Sequence, residues 1–184
     1  MTENSPQNQG TDGPDVLDQH WHLAQHAEEV SATELEFALM RANEGFARWQ
    51  AECLGNVMAM EVSGPENALL HIIRMHERPK SAKELARMTN RDDLPNIQYS
   101  LRKLVRAGLV LRKGSGRSGV TYEVTETGRE VTENFAALRR RLLIAAIAEV
   151  PDFGDRLREA TRTLNLLCGI YEEAARVAAT HRKG

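Results

Sequence analysis

The spacing of apolar side chains changes once within residues 81–125, from a helical repeat to an alternating one. Ile97, Leu101 and Leu104 follow the three- and four-residue steps of a helix that buries one face. After Gly108, two short runs with a period of two flank a loop of glycine, serine and arginine, a pattern that indicates a β-hairpin. The segment is therefore predicted to end in a helix followed by a two-stranded ribbon.

Polar side chains predict where the helices of this segment begin. Ser81 and Glu84 have the spacing of a capping box, in which each side chain satisfies a backbone N–H at the start of a helix. Asp92 and Asp93 are expected to supply capping oxygens to the second helix, and Pro95 suits its first turn. A short helix, a turn, a second helix and a ribbon together describe a winged helix-turn-helix, which places one helix in the major groove of DNA.

Apolar seams with helical spacing flank this segment on both sides. A long helix is expected to begin at another capping box, Ser31 and Glu34, and its apolar residues alternate steps of four and three, as in helices that pack along one another. Residues 142–148 are apolar on every side, which the surface helix of a monomer would not tolerate. We expect a two-fold dimer held by its terminal helices; a bundle folded back within one chain is the alternative.

The predicted fold is mainly α with a small β-hairpin wing, a winged helix-turn-helix flanked by N- and C-terminal dimerisation helices. Residues 1–15 are polar and contain no lysine or arginine, so they are predicted to form a disordered leader. The helices of residues 16–62 and 129–184 are assigned to dimerisation. Residues 63–128 are assigned to the winged lobe that binds DNA.

The basic charge of the chain is concentrated in its central segment. Residues 78–129 contain twelve Lys and Arg against five Asp and Glu, a net charge of +7. The other residues contain twelve and twenty-one, a net charge of −9, and the two values sum to the −2 of the whole chain. A near-neutral total therefore hides a basic module, and such clustering favours a nucleic-acid partner.

Basic and polar side chains of the two helices and the ribbon are the candidate contacts to double-stranded DNA. Contacts to phosphates are assigned to Arg87, Arg91, Lys103, Arg106, Arg112 and Lys113. Contacts to base edges are assigned to Asn96, Gln98, Tyr99 and Arg102. Arg117, in the glycine-rich loop, is expected to enter a narrow minor groove, where the concentrated negative potential attracts arginine.

No motif of the chain indicates catalysis or a cofactor. The sequence has no Gly-rich phosphate loop followed by Lys and Ser or Thr, no nucleophile elbow and no HExxH, so we expect no enzymatic activity and no cofactor. His22 and His26 are four residues apart, but nothing completes a ligand set, and an exposed helix face is favoured over a metal site. Cys53 and Cys168 are interpreted as small buried hydrophobes, with a thiol switch as the alternative.

Two features of the sequence bear on localisation. No apolar run approaches the ~20 residues that span a bilayer. The polar N-terminus lacks the basic and then apolar pattern of a signal peptide. We therefore expect a cytoplasmic protein without a membrane partner.

Three fragments of the winged segment resemble the multiple antibiotic resistance regulator (MarR) family. They are Ser81-x-x-Glu84-Leu85-Ala86, Leu104-Val-Arg-Ala-Gly108-Leu109-Val110-x-Arg112 and Val124-Thr125-x-x-Gly128-Arg129-Glu130. The helical flanks extend the resemblance to most of the chain. One feature departs from the family, whose wing often carries Asp-x-Arg: here the arginine is present without its usual acidic neighbour.

The resemblance implies a homodimeric transcriptional regulator, and we expect a ligand-responsive repressor that binds a palindromic operator. In the implied mechanism a small molecule binds between the dimer helices and the reading lobe, and favours a spacing of the two lobes that no longer fits the operator. The ligand must bind the two spacings with different affinity for this to release DNA. Two-fold symmetry would place the reading helices about 34–36 Å, or a multiple of it, apart. The alternative is a winged-helix module that binds proteins and reads no DNA sequence.

Overall fold

The structure, a computed structural model, describes residues 22–24, 26–57, 63–115 and 119–181 of the 184-residue chain. Its helices are α1 (Ala27–Val57), α2 (Gly64–Arg74), α3 (Ala82–Met88), α4 (Leu94–Arg106), α5 (Glu126–Arg139), α6 (Ala145–Ala148) and α7 (Phe153–Thr180). Its strands are β1 (Lys80–Ser81), β2 (Val110–Lys113) and β3 (Thr121–Val124). A 3₁₀ turn covers Met75–Glu77, and a π-helical turn covers Arg140–Ile144. Two compact units divide the chain between Trp49 and Gln50, so that α1 contributes to both.

The three strands form one antiparallel sheet in the order β1-β3-β2. β2 and β3 are the arms of the predicted hairpin, with Val110 opposite Val124. β1 pairs with the other edge of β3 and brings Lys80 opposite Tyr122. The predicted fold class is confirmed, but the sheet has one strand more than expected, because a strand of two residues has no periodicity to detect.

The core of the second unit lies between α2, α3, α4 and the sheet. The predicted stripe of α4 is confirmed, since Ile97, Leu101 and Leu104 are fully buried. The other buried apolar side chains of this core are Leu69, Leu70, Ile73, Leu85, Leu109, Val110, Tyr122, Val124 and Val131. Each side chain of this size stabilises the fold by roughly 1.5–3 kcal/mol when buried. The rotation of α4, with its polar face outward, is therefore determined by the core.

Hydroxyl side chains begin the helices around this core. Ser63 and Glu66 form a capping box at the start of α2. Ser81 and Thr125 each accept a hydrogen bond from the backbone N–H three residues later, at the starts of α3 and α5. These contacts satisfy N–H groups that have no partner within a helix.

The first helix begins one turn earlier than the sequence predicts. Ser31 lies inside α1, where its hydroxyl donates to the carbonyl oxygen of Ala27 (3.5 Å). The predicted start at Ser31 is wrong because Glu29 accepts the backbone N–H of His26 (3.0 Å) and caps an earlier turn. The predicted leader and the start of the N-terminal helical pattern lie outside the described residues.

A buried lysine connects the end of α2 to the sheet. Lys80 is fully buried, and its ammonium donates hydrogen bonds to the carbonyl oxygens of Ile73 (2.9 Å), Arg78 (3.1 Å) and Met75. Burial lowers the pKa of Lys80, and the charge of Arg78 lowers it further. Carbonyl oxygens thus solvate the ammonium and hold β1 beside the end of α2.

α5 is attached to the winged part by a glycine and an arginine. A Cβ at Gly128 would lie 2.2 Å from the carbonyl oxygen of Leu109, so a larger residue does not fit the first turn of α5. Arg74, in the last turn of α2, donates to the hydroxyl of Thr132 (2.5 Å) and pairs with Glu133 (2.7 Å). These contacts fix where α5 leaves the sheet.

The last long helix presents a broad apolar surface. None of the residues of α7, all of which the structure describes, is buried in the single chain. Its exposed large apolar side chains are Leu157, Leu164, Leu166, Ile170, Tyr171 and Val177. The apolar stretch at residues 142–148 is also exposed or half-buried. Even so, no helix in the described part of the chain is long and apolar enough to cross a membrane.

The two cysteines have different surroundings. Cys53 is buried, as predicted, and burial together with the charge of Glu52 raises the pKa of its thiol. Cys168 is exposed on α7, so its predicted burial is wrong for the single chain. His22 and His26 are both exposed, and the residues that the structure describes contain no group of three side chains able to hold a metal ion.

Candidate nucleic-acid interface

The outward face of α4 carries all four residues predicted to contact bases. α3 and α4 form the helix-turn-helix, and α4 turns its apolar stripe toward the core. The exposed side chains of α4 are Asn96, Gln98, Tyr99, Arg102 and Arg106, with Pro95 beside them in the first turn. Because the core determines the rotation of α4, these polar side chains lie together on an accessible surface.

A cleft of about 500 Å³ between α4 and the sheet brings predicted contacts from two elements together. Its polar lining comprises Gln98, Arg102, Arg106 and Arg112, and its apolar lining comprises Ala82, Val105, Val120 and Tyr122. In the described part of the chain, none of its three guanidinium groups forms an ion pair with a carboxylate. Three uncompensated cations around one cleft attract a polyanion such as a phosphate backbone.

Tyr99 is an exposed aromatic ring that lies against two cations. The guanidinium carbon of Arg102 is 6.0 Å from the ring centroid, and the ammonium nitrogen of Lys103 is 5.9 Å from it. A cation over an exposed aromatic face contributes about 0.5–1 kcal/mol. The ring of Tyr99 and the guanidinium of Arg102 are thus held next to each other on the surface of α4.

A buried carboxylate of α2 holds α4 from behind. Glu66 is 3% exposed, accepts a hydrogen bond from the hydroxyl of Ser100 (3.0 Å) and pairs with the ammonium of Lys103 (3.1 Å). Burial raises the pKa of Glu66, but hydrogen bonds from Ser63, Lys103 and Ser100 outweigh burial and lower it. The ammonium of Lys103, which was predicted to contact phosphate, is therefore paired with Glu66 in the absence of DNA.

Asp93 is the centre of a second polar cluster, at the start of α4. Its carboxylate accepts two hydrogen bonds from the guanidinium of Arg91 (2.7 and 2.5 Å) and one from the side-chain amide of Asn96 (3.1 Å). Arg91 and then Asn96 lower the pKa of Asp93 to about 2. The predicted side-chain cap by Asp93 is wrong, because these partners occupy the carboxylate and the backbone N–H of Asn96 donates to the carbonyl of Asp93 (2.9 Å).

The remaining predicted contacts are Arg87, Lys113 and Arg117. Arg87 is exposed on α3. Lys113, at the end of β2, pairs with Glu123 of β3 at 2.6 Å. Arg117 lies outside the described residues, so its contact with the minor groove stays a prediction.

A comparison with protein families assigns this segment to a class. Residues 62–128 match the family model described as "Winged helix DNA-binding domain". No curated protein matches the chain. The matched residues include α2, α3, α4 and the sheet, so this segment has the fold of a winged helix domain.

Several solved structures have the same fold as this chain. MarR from Staphylococcus aureus, in complex with salicylate and kanamycin, matches with a TM-score of 0.64 and 16% identity over 79% of this chain and 95% of that chain. The transcriptional regulator BldR from Sulfolobus solfataricus matches with a TM-score of 0.61 and 23% identity, over 73% of this chain and 95% of that chain. A mutant MarR from Escherichia coli complexed with operator DNA matches with a TM-score of 0.61 and 20% identity, over 73% of this chain and 95% of that chain. The predicted resemblance is confirmed: the fold is that of MarR-family transcriptional regulators.

Proposed function

We propose that this chain is a MarR-family regulator of transcription, which binds double-stranded DNA in a sequence-specific manner as a homodimer on a palindromic operator. We propose further that it is a repressor released by a small ligand. The proposal is supported first by the winged helix domain and by the DNA-bound relative of the same fold. Its remaining support comes from the side chains of the interface.

The cleft between α4 and β2 is the observation that carries the proposal. The major groove of B-DNA admits an α-helix, and the residues in its first turns reach base edges. With α4 in the groove, Gln98 and Arg102 face the bases. Arg106, one turn further along, and Arg112, across the cleft on β2, then face phosphates. Contacts to bases provide specificity, and contacts to phosphates provide affinity and orientation.

A homodimer explains the exposed apolar surface of the C-terminal helices. Leu164, Ile170 and Tyr171 of α7 are 38%, 52% and 42% exposed in the single chain. Contiguous apolar surface of this kind marks an interface, and a two-fold dimer covers such a surface with a second copy of itself. A bundle folded within one chain would bury α7 without a partner.

Buried polar atoms of α2 support a ligand site between α2 and α5. Both polar side-chain atoms of Asn67 and the Nε2 atom of His71 are buried without a hydrogen-bond partner in the described part of the chain. His71 lies against Phe135, with ring centroids 4.7 Å apart. Each unsatisfied buried group costs about 1–3 kcal/mol, so a polar ligand that pairs with these atoms gains affinity there.

DNA titrations at several salt concentrations test the proposed function. We expect two chains of the wild type to bind each duplex. The affinity should fall steeply as the salt concentration rises. Arg112→Gln should weaken binding and reduce the logarithmic salt slope by about one. Arg162→Gln, the same change on exposed α7, is the matched control and should leave the salt slope unchanged, with sedimentation verifying that the variant still forms the dimer. A chain that binds no duplex at low salt would contradict the proposal and favour the protein-interaction module.

A further inference from the structure

The cluster of Arg91, Asp93 and Asn96 constrains one amide on the reading surface. The guanidinium of Arg91 engages both carboxylate oxygens of Asp93, one through Nε (2.7 Å) and the other through a terminal nitrogen (2.5 Å). This two-point contact fixes the plane of the carboxylate. The amide nitrogen Nδ2 of Asn96 donates to the same carboxylate over 3.1 Å.

The chemistry of the cluster allows only one orientation of the Asn96 amide. With its pKa lowered to about 2 by Arg91 and Asn96, Asp93 is ionised at neutral pH and can only accept hydrogen bonds. The nitrogen of the Asn96 amide, and not its oxygen, must therefore face Asp93. The amide oxygen and the second N–H have no partner in the described part of the chain, and the residue is exposed.

An amide with its oxygen and one N–H free can match one base in the major groove. Adenine presents the N7 acceptor next to the N6 donor, and an asparagine can pair with both atoms at once. Guanine presents two acceptors at the same edge, so it would leave the amide oxygen unpaired. Asn96 is the third residue of α4, within the part of a reading helix that contacts base edges.

We propose that Asn96 reads one adenine in each half of the operator, with its amide held in the reading orientation by Asp93. This inference rests on the proposed function. Arg91 is then a positioning residue that acts through Asp93, and it is not a phosphate contact as the sequence suggested. Arg91 and Asp93 contribute to specificity without touching DNA.

Selection of binding sites from a random duplex library tests the inference. The library is presented to the wild type, to Asn96→Ala, to Asp93→Asn and to the control Asp92→Asn. Asp92 is the neighbouring exposed carboxylate, so its variant makes the same charge change without disturbing the cluster. Thermal melting of each variant verifies that the fold is kept; Asp92 and Asn96 are exposed, and Asp93 is half-buried.

The expected result is the loss of one adenine preference per half-site. In Asn96→Ala, the preference for A·T over the other base pairs at that position should fall by roughly 10- to 100-fold, and the preferences at the other positions should be kept. Asp93→Asn should weaken the same position by a smaller factor, because the amide can then turn over, and Asp92→Asn should leave every position unchanged. A selected site that is identical for the wild type and Asn96→Ala would overturn the inference and leave the proposed function intact.

An atomic substitution in the DNA gives a second, independent readout. When the adenine at that position is replaced by 7-deazaadenine, which lacks the N7 acceptor, the wild type should lose affinity and Asn96→Ala should not. Equal losses for both proteins would assign the contact to another residue. If the wild type selects no sequence at all, both the inference and the sequence-specific function are wrong.

Discussion

Removal of the charge of Lys103 tests whether a buried carboxylate holds the reading helix from behind. Lys103→Met keeps an unbranched apolar side chain and deletes the ammonium that pairs with Glu66. The side chain of Glu66 is 5% exposed, and that of Lys103 is 35% exposed. Removal of one partner from a fully buried pair costs about 3–5 kcal/mol, whereas an exposed pair contributes about 0–1 kcal/mol.

The expected loss lies between these limits, because one partner is buried and the other reaches solvent. Glu66 also keeps its hydrogen bonds from Ser63 and Ser100. We expect Lys103→Met to lower the free energy of unfolding by about 1–2 kcal/mol, which is a fall of several degrees in Tm. The control is Lys113→Met, whose pair with Glu123 is on the surface; its loss should be below about 0.5 kcal/mol.

Urea and thermal denaturation measure the stability of each variant. A double-mutant cycle of Lys103→Met, Glu66→Gln and the variant with both changes gives the coupling between Lys103 and Glu66, and Lys113→Met is measured beside it as the control. The fold lowers the pKa of Glu66, so the stability from its charge is present above the ordinary value of 4.5 and is lost as the pH falls through the lowered value. The deficit of Lys103→Met should therefore shrink on acidification. Equal losses for Lys103→Met and Lys113→Met, or additive effects in the double variant, would refute the reasoning.

Three further changes have defined outcomes. Arg102→Ala should cost about 1–3 kcal/mol of affinity at one operator base pair in a titration of single-base variants; an equal loss on every sequence would make it a phosphate contact. Gly128→Ala should lower the free energy of unfolding by about 1–3 kcal/mol, because the added Cβ would overlap a carbonyl oxygen. The control Gly169→Ala should not lower it, because a Cβ there meets nothing within 4 Å, and equal melting temperatures of the two variants would contradict this prediction. Burial lowers the pKa of His71, so the free energy of unfolding should fall as the pH decreases below the ordinary histidine pKa of 6.5. His71→Gln should flatten that fall in melting experiments. Identical pH profiles for the variant and the wild type would show that His71 is not held neutral.

Periodic features of the fold were accessible from the sequence. The stripe of Ile97, Leu101 and Leu104 repeats with the period of a helix, and the arms of the hairpin alternate, so each pattern reports which side is buried. The cap of α3 is a local signal of the same kind, because the hydroxyl of Ser81 accepts the backbone N–H of Glu84 only three residues later. Short-range repetition therefore predicted the winged helix and the outward face of α4.

Contacts between distant segments, or side chains with several competing partners, were not accessible. Lys103 was assigned to phosphate because nothing in its neighbourhood indicates Glu66, which lies 37 residues earlier and reaches it only in the folded chain. Lys80 was unnoticed, since a single charged residue in a two-residue strand looks like surface. For Asp93, the sequence offered a backbone cap, but the two-point contact with Arg91 binds the carboxylate more strongly.

The central claim is that paired winged helices read a DNA sequence, and a competition titration tests it most directly. A labelled duplex carrying the palindrome selected by the wild type is titrated with the protein at physiological salt, and the unlabelled palindrome or a scrambled duplex of the same composition is added as competitor. We predict that the palindrome competes at least about 10³-fold better than the scrambled duplex, with two chains bound per duplex. Equal competition by the two duplexes, or one chain per duplex, would contradict the account.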